Sequence, residues 1–202
     1  MYHDYGGDDP PHEPLYLCLV VSHLKRYPNI KRILDVGCGD GNFTASLAKA
    51  GFTMYGIDLS PRRIQQAKSR APTLTFALSS AYDDLTTPFN TEPFDAIVSI
   101  EVIEHLFSPR EFIKRARAAL RPGGLLILTT PYWGYFKNVA LAITNRIDCA
   151  LTALWDGGHI KHWSYRTLRT LCEEQGFDYV AFSGAGRMPY LWRGMLLVFR
   201  KS

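Results

Sequence analysis

Two groups of residues in this 202-residue chain have the types and spacing to do chemistry. The first is Glu101-x-x-Glu104-His105, with His159 and His162 further along. An imidazole near neutral pKa can take a proton, and a carboxylate beside it can orient the ring. In that version His105 or His159 is a general base and Glu104 its orienting partner. In a second version Glu101, Glu104, His105 and His159 bind a hard divalent ion such as Mg²⁺, which two carboxylates and two imidazoles suit only loosely. A plainer version leaves the same residues shaping a pocket. His3, His12 and His23 have no sequence partners and read as incidental, and His162 as a surface or packing residue.

The second group is Asp35-Val-Gly-Cys-Gly-Asp-Gly, ending at Gly41. Gly37, Gly39 and Gly41 let the backbone turn sharply and approach a ligand closely. Such a loop leading into a helix N-terminus favours an anionic group. The dinucleotide pattern needs a glycine three residues after Gly39, where Asn42 stands instead. Asp58, at the end of the next apolar run, is placed to accept bonds from both hydroxyls of a ribose. Leu59 offers apolar surface to a base, and Ser80 and Ala81 stand where the base amine would be read.

These residues need a frame. Apolar runs at Arg32–Val36, Thr53–Ile57, Leu74–Leu78, Phe94–Ile100 and Leu125–Thr129 read as strands. Asn42–Ala50, the segment after Ser60-Pro61 to Arg70, and that from Ser108-Pro109 to Leu120 read as helices between them, with Ser60 and Ser108 as N-caps. A further helix starts near Ser164, and one precedes the first strand over Leu15–Tyr27. Alternating strands and helices mean a parallel sheet covered on both faces. Phe177–Phe182 and Met195–Arg200 are too close for a helical crossover, so the last strand should run antiparallel. The expected architecture is a doubly wound, Rossmann-like α/β domain over residues 1–202, with seven strands. Residues 132–163 form an insertion longer than a connecting loop needs, and long insertions are usually functional. Within it Val139–Trp155 carries Ile143, Ile147, Ala150, Leu151, Leu154 and Trp155 at helical spacing. Tyr132, Trp133, Tyr135, Phe136 and Trp155 would make an aromatic wall for a planar or lipid-like ligand.

The stretches ILDVGCGDG, GIDLS, FDAIVSIEVIEHL, LRPGGLLILTTP and GHIKHWSYRTL together resemble the class I S-adenosylmethionine (SAM)-dependent methyltransferases. The likeness runs from the first strand to the C-terminus and is strongest to the small O-methyltransferases of the ubiquinone-biosynthesis type. It implies SAM as cofactor, held by Asp35, Gly37, Cys38, Gly39, Gly41, Asp58, Leu59, Ser80, Ala81 and Glu101. Many relatives carry an Asp where Ser80 and Ala81 stand. The family's chemistry implies methylation of a small hydrophobic or aromatic hydroxylated acceptor. Glu-x-x-Glu-His with a later His four residues before a Trp also resembles the small-RNA 2′-O-methyltransferases, and His159 and Trp163 have that spacing. RNA methylation and a non-catalytic SAM-binding role therefore stand as alternatives.

Composition narrows the choice. A net charge of +4 is mild for a nucleic-acid binder. Arg110, Lys114, Arg117 and Arg121 form a basic helix stripe without interleaved aromatics, which reads as a solvated face rather than an RNA contact. Cys18, Cys38, Cys149 and Cys172 form no disulfide or metal pattern, so a reducing compartment is expected. With no signal peptide and no long apolar span, the expected location is cytoplasmic, with residues 139–155 as a candidate peripheral contact at the inner membrane face.

Overall fold

A computed structural model describes residues 13–151, 158–186 and 188–202. Seven strands form one sheet in the order β3-β2-β1-β4-β5-β7-β6. They are β1 Arg32–Val36, β2 Thr53–Asp58, β3 Thr75–Leu78, β4 Phe94–Ser99, β5 Leu120–Pro131, β6 Phe177–Ala185 and β7 Gly194–Lys201. The first five are mutually parallel, and β7 slots antiparallel between β5 and β6. The order reverses between β1 and β4, which opens a crevice beyond the carboxyl ends of those strands.

Strand alternation divides the core. Ile33, Val98, Leu125, Ile127, Leu196 and Val198 face α1 (Glu13–Leu24) and α2 (Asn42–Lys49), where Tyr16, Val20, Phe43 and Leu47 are buried. Leu34, Leu126, Leu128, Leu197 and Phe199 point the other way. There they meet Phe112 and Ile113 of α4 (Pro109–Ala119) and Leu168 and Leu171 of α7 (Tyr165–Glu174). Helix α3, Pro61–Arg70, packs Ile64 and Ala67 with Cys38 and Phe76.

The local signals act where expected in α3 and α7. The Ser60 hydroxyl accepts from the Arg63 amide, and Ser164 and Thr167 form a reciprocal capping box. Ser108 differs: its side chain caps nothing, and its amide instead donates to the Tyr82 hydroxyl at 3.2 Å. Strand β5 starts five residues before Leu125, because Leu120 pairs with Phe94 across a register shift. The Pro122–Gly124 turn is thus absorbed as an irregular strand start. Helix α1 stops at Leu24, and Lys25–Tyr27 continue as a tight turn. His23 is buried and shares a 3.0 Å hydrogen bond with Ser183, so it ties α1 to β6 and is not incidental.

The insertion departs most from expectation. Instead of one helix over Val139–Trp155 it forms α5 (Tyr135–Ile143) and the single-turn α6 (Ile147–Leu151). Asn145, at φ 52°, breaks the helical path between them. Leu154 and Trp155 lie outside the described residues. Three basic-stripe arginines are occupied structurally: Arg110 pairs with Glu174, Arg117 donates to the Gly176 carbonyl, and Arg121 pairs with Asp95. Among the described residues no helix is long and apolar enough to cross a membrane.

Candidate active site

The glycine loop leaves β1 at the crevice. Gly37, Gly39 and Gly41 all have positive φ, at 79°, 54° and 77°. The amides of Gly37 and Cys38 both donate to the Ile57 carbonyl, which fastens the loop to β2. Side chains would not fit. A Cβ on Gly37 would lie 2.4 Å from Val102, and one on Gly41 2.9 Å from both Ala67 and Phe76. Asp35 is buried and accepts a 2.6 Å hydrogen bond from the Thr44 hydroxyl, so its carboxylate joins β1 to α2 from beneath the loop. Cys38 is buried too, and burial followed by the charge of Asp35 pushes its thiol pKa far up, leaving it an inert neutral group.

Asp58 is fixed at the lip of the loop. One carboxylate oxygen accepts from the Gly39 amide at 3.0 Å, the other from the Ser60 amide at 2.8 Å. An acceptor-only group held this way keeps lone pairs for hydroxyl donors. Leu59 beside it is 48% exposed. Beyond β3, Asp83 accepts from the Ser80 amide and from the Ser79 hydroxyl, while the Ser80 hydroxyl accepts from the Tyr82 amide. The loop carrying Ser80 and Ala81 is thus organised by an acid three residues on, which the sequence reading overlooked.

Past β4 the chain enters a short 3₁₀ turn, Ile103–His105. Glu104 is fully buried. Its backbone carbonyl accepts from the amides of Ile160 and Lys161, which brings His159 alongside. His159 Nε2 lies 4.0 Å from Glu104 Oε1, and the rings of His105 and His159 are 5.0 Å apart. Donor atoms of Glu104, His105 and His159 all fall within 4.8 Å of one another. Burial, then the charge of Glu101, push the Glu104 carboxyl well above the usual carboxylate range. The Thr130 hydroxyl tempers this shift, yet both Glu104 oxygens and that hydroxyl fall short of hydrogen-bond geometry with any described residue.

Glu101 stands apart from that cluster. Its φ is 54°, unusual for a side-chain-bearing residue. Its amide donates to Thr129 Oγ1, which in turn donates to Glu101 Oε1, each at 3.0 Å. Glu101 thus falls outside the three-residue group, and a four-ligand set is not assembled. Thr129 and Thr130 had one sequence signal: two hydroxyls closing the apolar run Leu125–Leu128.

The aromatic wall is dispersed. Tyr132 is buried in the core, edge-on to Trp192. Trp133 contacts His162 at 4.5 Å between centroids, and burial lowers the pKa of that imidazole. Tyr135 and Phe136 point outward, 75% and 60% exposed, and no residue of α5 is buried. Phe136 meets Tyr190 of the β6–β7 turn at 5.8 Å, so α5 and that turn form one exposed apolar face with Ile143, Met188 and Leu191.

Residues 14–181 match the protein family described as "Methyltransferase domain". The ubiquinone biosynthesis O-methyltransferase of Cereibacter sphaeroides (strain KD131) is 35% identical over 168 residues, covering 80% of this chain and 66% of that protein. Its namesake from Caulobacter sp. (strain K31) is 35% identical over 101 residues, 49% of this chain and 40% of that one. This chain thus spans well under two thirds of the length of several such relatives. Among solved structures, the N-methyltransferase NodS of Bradyrhizobium japonicum WM9, in complex with S-adenosylhomocysteine (SAH), superposes with a TM-score of 0.69 at 22% identity, over 96% of this chain and 89% of that one. Magnesium protoporphyrin IX methyltransferase from Synechocystis PCC 6803 gives 0.71 at 17%, over 98% and 91%. These identities speak for the fold alone.

Proposed function

The chain belongs to the class I SAM-dependent methyltransferase family, and from that premise we propose that it O-methylates a small hydrophobic or aromatic hydroxylated acceptor. The observation that carries this reading is the clustering of Glu104 and His105, just past β4, with His159 of the insertion, in a segment whose Val102 packs against Gly37 of the glycine loop. SAM supplies the electrophilic methyl and the leaving thioether. The acceptor oxygen forms the new O–C bond as the C–S bond breaks, and the hydroxyl proton passes to His159. Glu104, buried 4.0 Å from His159, is the group placed to orient that imidazole. The rest is alignment of oxygen, carbon and sulfur, a proximity effect.

A second reading has one observation in its favour. The three donor atoms within 4.8 Å, with a buried carboxylate short of partners, fit a divalent ion such as Mg²⁺. Such an ion would lower the acceptor hydroxyl's pKa, with Glu104, His105 and His159 as its protein ligands. On either reading the exposed face of α5 and the β6–β7 turn is where a lipid-like acceptor would arrive, by peripheral contact with a membrane surface.

The test is methyl transfer from labelled SAM to catechols with and without alkyl chains, to amine analogues, and to short RNA, with and without EDTA. Labelled ether formed only from the catechols supports the proposal. Product from RNA alone, or from no acceptor, overturns it. Loss of rate in EDTA, restored by Mg²⁺, selects the metal version.

A further inference from the structure

Lys137 is a cation near the acceptor cluster that lacks an ion-pair partner. It stands in the first turn of α5 and is half-buried. Among the described residues no carboxylate forms an ion pair with it. Its ammonium reaches the Arg193 carbonyl at 3.5 Å. That carbonyl already accepts the Tyr132 amide at 3.1 Å. An ammonium is a multiple donor, so most of its capacity is unspent. Burial, then the like charge of Arg193, lower the Lys137 pKa, and the charge of Glu101 offsets this only in part. A cation partly out of water and next to another cation is stabilised by an anion.

A row of rings connects Lys137 to the reacting centre. Its ammonium lies 5.5 Å from the centroid of the Trp133 ring. Trp133 meets His162 at 4.5 Å, His162 lies 6.5 Å from His159, and His159 lies 5.0 Å from His105, all between ring centroids. The Trp133 amide donates to the Trp163 carbonyl at 3.3 Å, which ties the exit of β5 to the segment carrying both later histidines. The row thus leads away from His159 and ends beside a cation. A flat acceptor with its hydroxyl at His159 and its ring along this row would present its far edge to Lys137.

We propose that Lys137, backed by Arg193, selects an acceptor that bears an anionic group, a carboxylate or a phosphate, on the edge away from the methylated hydroxyl. The inference rests on the O-methylation reading above and narrows its substrate class. Lys137 touches no reacting atom; it decides which acceptors enter and how they lie. If its ammonium served only to pack on Trp133, neutral and anionic acceptors would be treated alike.

Steady-state methyl transfer from labelled SAM by the full chain separates the two roles. The acceptors are catechols with the same ring, bearing a carboxylate, a phosphonate (standing in for a phosphate) or a neutral carboxamide, each with and without an alkyl chain. The unsubstituted chain should use the carboxylate or the phosphonate with a kcat/KM about tenfold above that for the carboxamide, the scale of one charge-assisted hydrogen bond. The difference should lie in KM. Lys137→Gln should erase the preference, and Lys137→Arg should keep most of it. Whichever anion leads tells a carboxylate substrate from a phosphate one. No preference in the unsubstituted chain would overturn the proposal. So would a preference that survived Lys137→Gln, or equal losses for all the acceptors in that variant, which would make Lys137 a packing residue. If the chain methylated none of the catechols, the O-methylation reading itself would fall, and this inference with it.

Discussion

The two sides of the crevice are built to different standards. On the β1–β3 side the named polar groups are matched. Asp35 has Thr44, Asp58 has the amides of Gly39 and Ser60, and Asp83 has Ser79 and Ser80. Three left-handed glycines are locked by neighbours that leave no room for side chains at Gly37 and Gly41. On the β4–β7 side Glu104, the Thr130 hydroxyl and the Trp163 indole N–H are buried short of hydrogen-bond partners among the described residues. Tyr135, Phe136 and Ile143 lie open on α5. A buried polar group without a partner costs about 1–3 kcal/mol, so this side carries a polar cost that the β1–β3 side does not. On the proposed function, the β1–β3 side is preorganised for the cofactor, and the β4–β7 side leaves its polar and apolar demands to the acceptor.

The sharpest way to break this comparison is at His159. On the acceptor side His159→Ala should lower kcat by about 10²–10⁴-fold, the usual contribution of a positioned base. SAH affinity measured by calorimetry should stay within about twofold, because the cofactor side is built independently. A parallel loss of SAH binding would mean the two sides are one cooperative unit. The reciprocal experiment is Asp58→Ala. It removes the proposed ribose acceptor and also the anchor of the Gly39 amide. SAH should bind about 30- to 100-fold more weakly, two charge-assisted hydrogen bonds' worth. Unchanged affinity would remove Asp58 from the cofactor site altogether.

The same division explains what could be read in the sequence. On the β1–β3 side, the geometry is carried by backbone conformation, and glycine spacing reports backbone conformation directly. Asp35, the three glycines and Asp58 are therefore legible, as are the Ser60 cap and the short strands. What the sequence hides there is the role of Asp35, whose carboxylate is spent on Thr44. On the β4–β7 side, the geometry is carried by side chains that converge from distant elements. The Glu-His pair is visible, but its union with His159 depends on Ile160 and Lys161 donating to the Glu104 carbonyl, a contact with no pattern of its own. The insertion misleads through periodicity: spacing alone predicts one helix from Val139, whereas Asn145 can adopt the left-handed turn that splits it.

A smaller effect tests whether the loop's tight packing is the source of its preorganisation. Gly41→Ala places a methyl 2.9 Å from Ala67 Cβ and Phe76 Cζ, on a residue with φ 77°. Denaturant unfolding should show a loss of about 1–3 kcal/mol, from backbone strain and overpacking together. An equivalent methyl at Gly51 meets nothing within 4 Å. Gly51→Ala should lose only a backbone cost, at a φ of 103° further from the left-handed minimum than that of Gly41. A larger loss at Gly41 than at Gly51 would then be due to packing against α3, and no loss at Gly41 would mean that packing there adds nothing.

The smallest effect is a control at the opposite end of the sheet, where Asp95 lies at the start of β4. Asp95 accepts from the amides of Lys31 and Arg32 through one oxygen and from Arg121 through the other. Burial on its own would raise this carboxyl, but the Arg32 amide, the Arg121 guanidinium and the Lys31 amide outweigh it and hold the pKa below its ordinary value. A carboxyl depressed in the folded state adds stability above its unfolded pKa, near 4. That contribution fades as pH falls from there through the lower folded value. Asp95→Asn should therefore cost about 1–2 kcal/mol at pH 7, discounted for the part-exposed Arg121. The gap between variant and parent should narrow steadily below about pH 4. SAH affinity and kcat should be unchanged at neutral pH. If Asp95→Asn impaired turnover as His159→Ala does, the acceptor side would owe its activity to the rigidity of the whole sheet and not to its local side chains.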